Sequence, residues 1–286
     1  MKKVLATDLD GTLFYPKQIK RCIPKKNTKF LQDWIDEGNK LVLVTSRSHQ
    51  FVEKLKKEIK RPVDFIACNA SQIVVDDNLV RDKYINPKEL DAVIKYLDEK
   101  VQPIAYLMTT KDYPLIIKNN KNLRGLIYFI YRIWYFFQFK YREDFTLSNE
   151  VFDEEIKKGQ VYKVMVFYGF GKKKKILSKE INKFLRENYP DIESSWTSIV
   201  NELTPVDCNK GAGLEYYAEH LGFKPNDIYV VGDSGNDITM FNKFYENSYC
   251  MAHGYPGVKK YAKHTISRVF KLRKQLLKGA KKDESK

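Results

Sequence analysis

The sequence predicts an α/β fold: a doubly wound parallel sheet, Rossmann-like in its winding, with a second α/β domain inserted into it. Three observations predict it. Short continuous apolar runs alternate with amphipathic helical stretches through roughly the first eighty residues, the pattern of strands covered on both faces. The same alternation resumes at residue 208, after a middle segment in which strand follows strand. Three of the apolar runs end in polar signatures, "DLDGT" at 8–12, "TSRS" at 45–48 and "GDSGND" at 232–237.

The elements follow in order. "KVLATDLD" (3–10) is a short apolar strand. "IPKKNTKFLQDWIDEG" (23–38) is a helix, with Pro24 near its start, Phe30, Leu31, Trp34 and Ile35 on one face and Gly38 as its stop. "KLVLVTS" (40–46) is a second strand and "SHQFVEKLKKEIK" (48–60) a second helix, with Pro62 beyond it. "VDFIAC" (63–68) is the third strand. In the middle, "NPKELDAVIKYLDEK" (86–100) is a helix, while "PIAYLMTT" (103–110) and "YPLIIK" (113–118) read as neighbouring strands. "QVYKVMVFYG" (160–169) is a strand, "KKKKILSKEINKFLREN" (172–188) a helix and "SSWTSIVNEL" (194–203) a last strand. These imply a mixed or antiparallel sheet with helices on one side. Then come the helix "CNKGAGLEYYAEHLG" (208–222), the strand "DIYVVGD" (227–233), the helix "NDITMFNKF" (236–244), the short strand "SYCMAHG" (248–254) and a basic terminal helix, "SRVFKLRKQLLKGAKK" (267–282). Residues 1–83 and 202–286 thus form the parallel-sheet core, and 84–201 the inserted α/β domain.

Composition sets the bounds. A chain of 286 residues with 43% apolar residues has material for two cores. The formal charge of +15 favours anionic partners, of which a small phosphorylated metabolite, a nucleic acid and an anionic membrane surface are the classes to weigh. Cys22, Cys68, Cys208 and Cys250 are scattered, form no C-x-x-C pair and read as reduced thiols of a cytoplasmic protein. The N-terminal apolar run is cut by Asp8, too early for a secretory segment, and no stretch approaches the ~18 apolar residues of a spanning helix.

The polar signatures carry the chemistry. In an open parallel sheet the carboxyl ends of the strands line one crevice, where ligands bind. This arithmetic brings Asp8, Asp10, Thr45, Asp233 and Asp237 to one edge. Crowded carboxylates repel unless a cation holds them, and hard oxygen ligands favour Mg²⁺. Lys210, at the start of a helix, adds a fixed positive charge. Asp8 and Asp10 can divide the labour, one attacking phosphorus while the other serves the leaving oxygen.

The segments "DLDGTLF", "VTSRS", "NKGAGL" and "GDSGNDITMF" resemble, in order, the four motifs of the haloacid dehalogenase-like superfamily. The large insertion between the second and third motifs is similar to its Cof-type branch of sugar-phosphate phosphatases, which carry an α/β cap. The resemblance implies a core of that family, an aspartyl-phosphate intermediate and Mg²⁺ as cofactor. It implies Asp8 as nucleophile and Asp10 as general acid and base. Metal ligands would be the Asp8 carboxylate, the Asp10 carbonyl and Asp233, with Asp237 in support. Phosphate oxygens would be held by Thr45, Ser46, Lys210, Asn236 and the Leu9 amide. "CNASQIVVDDN" resembles the branch's Asn-Gly-Ala loop with Ala70 in place of Gly, Ser46 likewise replaces a usual glycine, and His253 in "MAHGYPGVK" stands where Asn is usual.

Other features have plainer readings. His49, His220, His253 and His264 show no metal-ligand spacing, and "GFGKKKK" (169–175) lacks the phosphate-loop pattern and reads as a solvated turn. "LRGLIYFIYRIWYFFQFKY" (123–141) has nine aromatics in nineteen residues, interrupted by Arg124 and Arg132. Its expected role is cap core, then a lid over the crevice, then an interfacial helix on a membrane. The functional expectation is a Mg²⁺-dependent phosphatase of small phosphomonoesters, probed against a hexose phosphomutase and against a nucleic-acid or membrane-surface binding protein. No nucleic acid is obligatory in it.

Overall fold

The computed structural model describes residues 2–119, 131, 140, 142–197 and 199–277. The chain divides into two compact units. One comprises Met1–Ser46, Val52–Val80 and Lys210–Lys286, the other Arg47–Phe51 and Arg81–Asn209.

The first unit is built on an eight-stranded sheet. Its strands are β1 (Val4–Thr7), β2 (Lys40–Val44), β3 (Asp64–Ala67), β4 (Gln72–Val75), β5 (Asn78–Asp82), β12 (Ile228–Gly232), β13 (Ser248–Met251) and β14 (His264–Ile266), in the order β14-β13-β12-β1-β2-β3-β4-β5. From β14 to β3 every pairing is parallel, and β4 runs antiparallel to β3. Both faces are covered. On one, Val4, Ala6, Val42, Val44 and Ile66 pack with Leu214 and Tyr217 of the helix Lys210–Leu221 and with Met240 and Phe241 of the short helix Ile238–Lys243. On the other, helix α1 (Lys25–Asp36) packs against β2 and buries Phe30, Leu31 and Trp34. Pro24 serves as the N-cap of α1, and the Trp34 indole Nε1–H donates to the Lys40 carbonyl at 2.8 Å. A tryptophan this fully buried contributes roughly 4–6 kcal/mol of apolar transfer. Helix α2 spans His49–Ile59.

Several elements differ from expectation, among them the strand Thr146–Leu147 and the helix Asn149–Lys158, where no element was expected. The segment after β3 is a hairpin, β4 to β5. Asp76 and Asp77, at φ +47° and +63°, supply the two left-handed residues that a two-residue hairpin turn requires. Strand β14 also went unforeseen; at three residues it is too short to leave a pattern. The single strand expected over 194–203 is two antiparallel strands, Ile192–Thr197 and Val200–Pro205. Within the basic terminal segment the described residues form a 3-10 turn (Val269–Leu272) and one α-turn (Arg273–Leu276) instead of a continuous helix.

The second unit holds a six-stranded sheet. Its strands are β6 (Ala105–Thr110), β7 (Ile116–Asn119), β8 (Thr146–Leu147), β9 (Val161–Phe167), β10 (Ile192–Thr197) and β11 (Val200–Pro205), in the order β10-β11-β9-β6-β7-β8. Its pairings are antiparallel except β7 with β8. Helices α3 (Pro87–Lys100), α4 (Asn149–Lys158) and α5 (Lys172–Asn188) share one core with Met108, Val164, Val166 and Leu203. Caps fix two helix starts: Asn86 accepts from the Lys88 and Glu89 amides, and Ser148 from the Val151 amide. Apart from Tyr131 and Lys140, the aromatic run 123–141 lies outside the described residues. No helix among the described residues is long and apolar enough to cross a membrane.

Candidate active site

Register puts three strand ends side by side. Thr7 of β1 aligns with Val231 of β12 and with Leu43 of β2, so Asp8, Asp233 and Thr45 all emerge at the carboxyl edge of adjacent parallel strands. The Asp8 amide still donates to the Val231 carbonyl at 2.9 Å; the chain then turns through a wide loop, Leu13 N–H bonding to Asp8 and Phe14 N–H to Leu9. Gly11 makes this loop feasible. Its φ is +80°, and a Cβ there would stand 2.4 Å from Asp233 Oδ2, closer than atoms tolerate. The loop buries Asp8 and leaves Asp10 exposed, which separates the two carboxylates chemically.

Lys210, the first residue of helix α6 (Lys210–Leu221), is 1% exposed. Its Nζ donates at 2.6 Å to Asp8 Oδ1 and at 2.6 Å to Asp237 Oδ1. The other oxygen of Asp237 accepts the Asp233 and Ser234 amides, each at 2.9 Å. Asp237 therefore anchors the lysine and the loop after β12 together. Thr12 Oγ1 donates to Asp233 Oδ1 at 3.1 Å. One oxygen each of Asp8, Asp233 and Asp237 lies within 4.8 Å of the others.

The charge balance of this cluster is uneven: three carboxylates meet one ammonium. Burial pushes the Asp8 carboxyl well above its ordinary range, with Lys210 opposing and the Asp237 charge adding to the rise. Asp233 is raised first by burial and then by Asp237, against the pull of Thr12, Lys210 and His253. Burial by itself would lower the Lys210 value, but Asp237 and Asp8 outweigh it and hold the ammonium above its usual range. With Lys210 charged, the ionised cluster carries two uncompensated negative charges, all on oxygen. That donor chemistry fits a hard divalent cation.

The remaining expected residues lie around this cluster. Thr45 is buried; its amide donates to the Ile66 carbonyl at 2.9 Å, and its carbonyl accepts the Asn69 amide at 3.1 Å. Ser46 follows it, half-buried. Leu9 is buried, and Asn236 sits half-buried in the turn after β12, its Oδ1 accepting from Ser234 Oγ at 2.8 Å. Sequence reasoning missed two contributors. Thr12 lies inside the first signature and could have been read as a partner for a strand-end carboxylate. His253, marked in the sequence only as standing where Asn is usual, places its Nε2 2.7 Å from the Gly11 carbonyl oxygen.

Residues 5–269 match the family model of haloacid dehalogenase-like hydrolases, and the chain belongs to that family; it is a hydrolase. It is 24% and 26% identical to two Bacillus subtilis proteins, each named 5-amino-6-(5-phospho-D-ribitylamino)uracil phosphatase. The first alignment covers 84% of this chain and 80% of its relative, the second 84% of each. A solved haloacid dehalogenase-like hydrolase from Bacillus subtilis superposes with TM-score 0.77 at 21% identity, over 96% of this chain and 100% of that one, a likeness of fold.

Proposed function

We propose that the protein is a Mg²⁺-dependent phosphatase that hydrolyses small phosphomonoesters, sugar phosphates foremost, through an aspartyl-phosphate. The observation that carries this reading is the buried Asp8, held by Lys210 and set within 4.8 Å of Asp233 and Asp237. A Mg²⁺ ion held by Asp8, the Asp10 carbonyl and Asp233, with Asp237 supporting, would offset charge on the phosphoryl oxygens.

The chain's own groups do the rest. Lys210 fixes Oδ1 of Asp8 and so orients the carboxylate for in-line attack. The Asp8 oxygen bonds to phosphorus as the bond to the leaving oxygen breaks, and Asp10 gives that oxygen a proton. Asp10, now a carboxylate, takes a proton from water; the water oxygen bonds to phosphorus and the Asp8–phosphorus bond breaks, releasing phosphate. The exposure of Asp10 suits a group that must meet both leaving alcohol and water. Thr45, Ser46, Lys210, Asn236 and the Leu9 amide are the donors assigned to the phosphoryl oxygens. Substrate selection is assigned to the inserted α/β domain expected over 84–201, and the phosphoryl chemistry to the domain expected over 1–83 and 202–286. The four buried cysteine thiols accord with work in the reducing cytoplasm.

The test is phosphate release across hexose phosphates, pentitol phosphates, nucleotides and cofactor phosphates, with Mg²⁺ and an EDTA control. The pentitol phosphates belong in the panel because the named Bacillus relatives act on a ribityl phosphate. Release that needs Mg²⁺ and the Asp8 carboxylate supports the reading. Conversion of a hexose 1-phosphate to the 6-phosphate without free phosphate would replace hydrolysis by a mutase reaction.

A further inference from the structure

We infer that His253 is a positioning residue, which locks the turn carrying Asp8 and Asp10 onto the strand end carrying Asp233; this rests on the function proposed above. The Gly11 carbonyl can only accept, so the 2.7 Å contact requires a proton on His253 Nε2. The backbone bonds of the turn itself run to the carbonyls of Asp8, Leu9 and Thr12. The bond to Gly11 thus ties the turn to a segment more than two hundred residues away.

The imidazole makes a second contact with the same piece of chain. Its ring lies 3.7 Å, centroid to centroid, from the Tyr15 ring, and the Arg268 guanidinium sits 4.4 Å over the Tyr15 centroid. Tyr15 directly follows the turn, so the tilted ring contact and the hydrogen bond grip the same short piece of chain. The backbone of His253 is anchored in its turn. The Gly254 amide donates to Met251 at 2.8 Å, and the Tyr255 amide donates to the Asp233 carbonyl at 3.2 Å. Gly254 permits that approach: a Cβ there would lie 2.8 Å from the Asp233 oxygen. Residues 251–255 therefore bridge the backbones of Asp233 and Gly11. Asp10 immediately precedes Gly11 and is exposed, so this bridge limits how far the acid can drift from the reacting atoms. Displacements of about 1 Å can change rates ~100-fold.

The bland alternative is surface packing by an exposed histidine, and three substitutions separate the two. Glutamine can place an N–H near the position of Nε2; asparagine reaches only to that of Nδ1; alanine offers neither. Two readouts are taken: amide hydrogen exchange of residues 9–14 in the metal-free protein, and kcat and KM for phosphate release with saturating Mg²⁺. His253→Ala is expected to speed exchange in that segment about tenfold, the worth of one hydrogen bond, and to lower kcat about tenfold with KM within about twofold. His253→Gln should restore both readouts, and His253→Asn should not. Wild-type exchange in His253→Ala, or recovery by asparagine as full as by glutamine, would overturn the assignment, as would equal losses in all three variants with a common drop in melting temperature. A wild-type protein that releases no phosphate from any substrate would instead refute the proposed function, and the exchange data would still decide the role of His253.

Discussion

At the scale of single residues, the site depends on two carboxylates sharing one lysine. Asp237 holds Lys210 from one side and the backbone of Asp233 and Ser234 from the other, so it fixes geometry even if it never meets substrate. Asp8→Asn leaves that anchor intact and removes a buried charge from a cluster with too many. It is expected to fold, to melt no lower than wild type without metal, and to release no phosphate. Substantial turnover with excess Mg²⁺ would falsify the nucleophile assignment. Lys210→Met should behave oppositely. It strands two buried carboxylates, and breaking a buried pair from one side costs about 3–5 kcal/mol. Denaturant unfolding should show that loss, and a metal-free midpoint equal to wild type would show that Lys210 is not a stability element. Asp233→Ala removes one hard ligand and one charge. Titration of activity should then require far more Mg²⁺ for half-maximal rate, and the rise in melting temperature expected on adding Mg²⁺ to wild type should be lost at the same Mg²⁺ concentration. Full rescue of EDTA-treated enzyme by Zn²⁺ alone would contradict the oxygen-ligand reading.

At the scale of elements, the loop after β3 shows how a departure from the usual motif is accommodated. Ala70 has φ +77°, where a side chain costs about 1–2 kcal/mol, yet its buried methyl contributes roughly 0.8 kcal/mol and a glycine would add ~0.5–1 kcal/mol of chain entropy. These nearly cancel. Ala70→Gly is therefore expected to shift stability by less than about 1 kcal/mol. The partner of this methyl is the missing side chain of Gly213 in α6: a Cβ there would lie 2.3 Å from that of Ala70. Gly213→Ala should destabilise by about 1–3 kcal/mol, and the double variant with Ala70→Gly should recover most of it. Equal losses in the single and double variants would remove Ala70 as the obstacle. The same loop marks how far the sequence could be read. The parallel strands announced themselves as apolar runs because both faces are buried, and the strand-end aspartates were visible as interruptions of those runs. The β4–β5 hairpin was hidden because Asp76-Asp77 is a weak turn signal beside Asn-Gly, and the break between β10 and β11 because polar residues occupy both strands. In the site, Asp8, Asp233, Asp237 and Lys210 were legible from strand ends and helix starts. Thr12 was visible only as a hydroxyl inside the first signature, with nothing to say which carboxylate it would meet, and the grip of His253 on Gly11 was not legible at all, since each contact joins segments that only the finished sheet brings together.

At the scale of the whole molecule, the sign of the charge changes with distance. The chain carries +15 overall, while the ionised metal-free cluster of Asp8, Asp233, Asp237 and Lys210 carries two net negative charges. A phosphate dianion is thus attracted from afar and repelled on arrival unless a cation is bound. The two contributions respond differently to salt. Long-range attraction is screened as the Debye length shrinks from about 30 Å at 0.01 M to about 3 Å at 1 M, whereas contacts inside a buried cluster are screened far less. Raising ionic strength at saturating Mg²⁺ is therefore expected to lower kcat/KM through KM and to leave kcat nearly constant. The EDTA-treated protein should bind inorganic phosphate weakly at every salt concentration. A parallel fall of kcat would mean that salt acts on the metal site or the fold, and the steering argument would fail. Steep salt-dependent binding of RNA or anionic vesicles, with no phosphate release under any condition, would assign the +15 charge to a macromolecular partner instead. The buried Asp8–Lys210–Asp237 arrangement argues against that outcome, because a binding surface gains nothing from charges sealed away from its ligand.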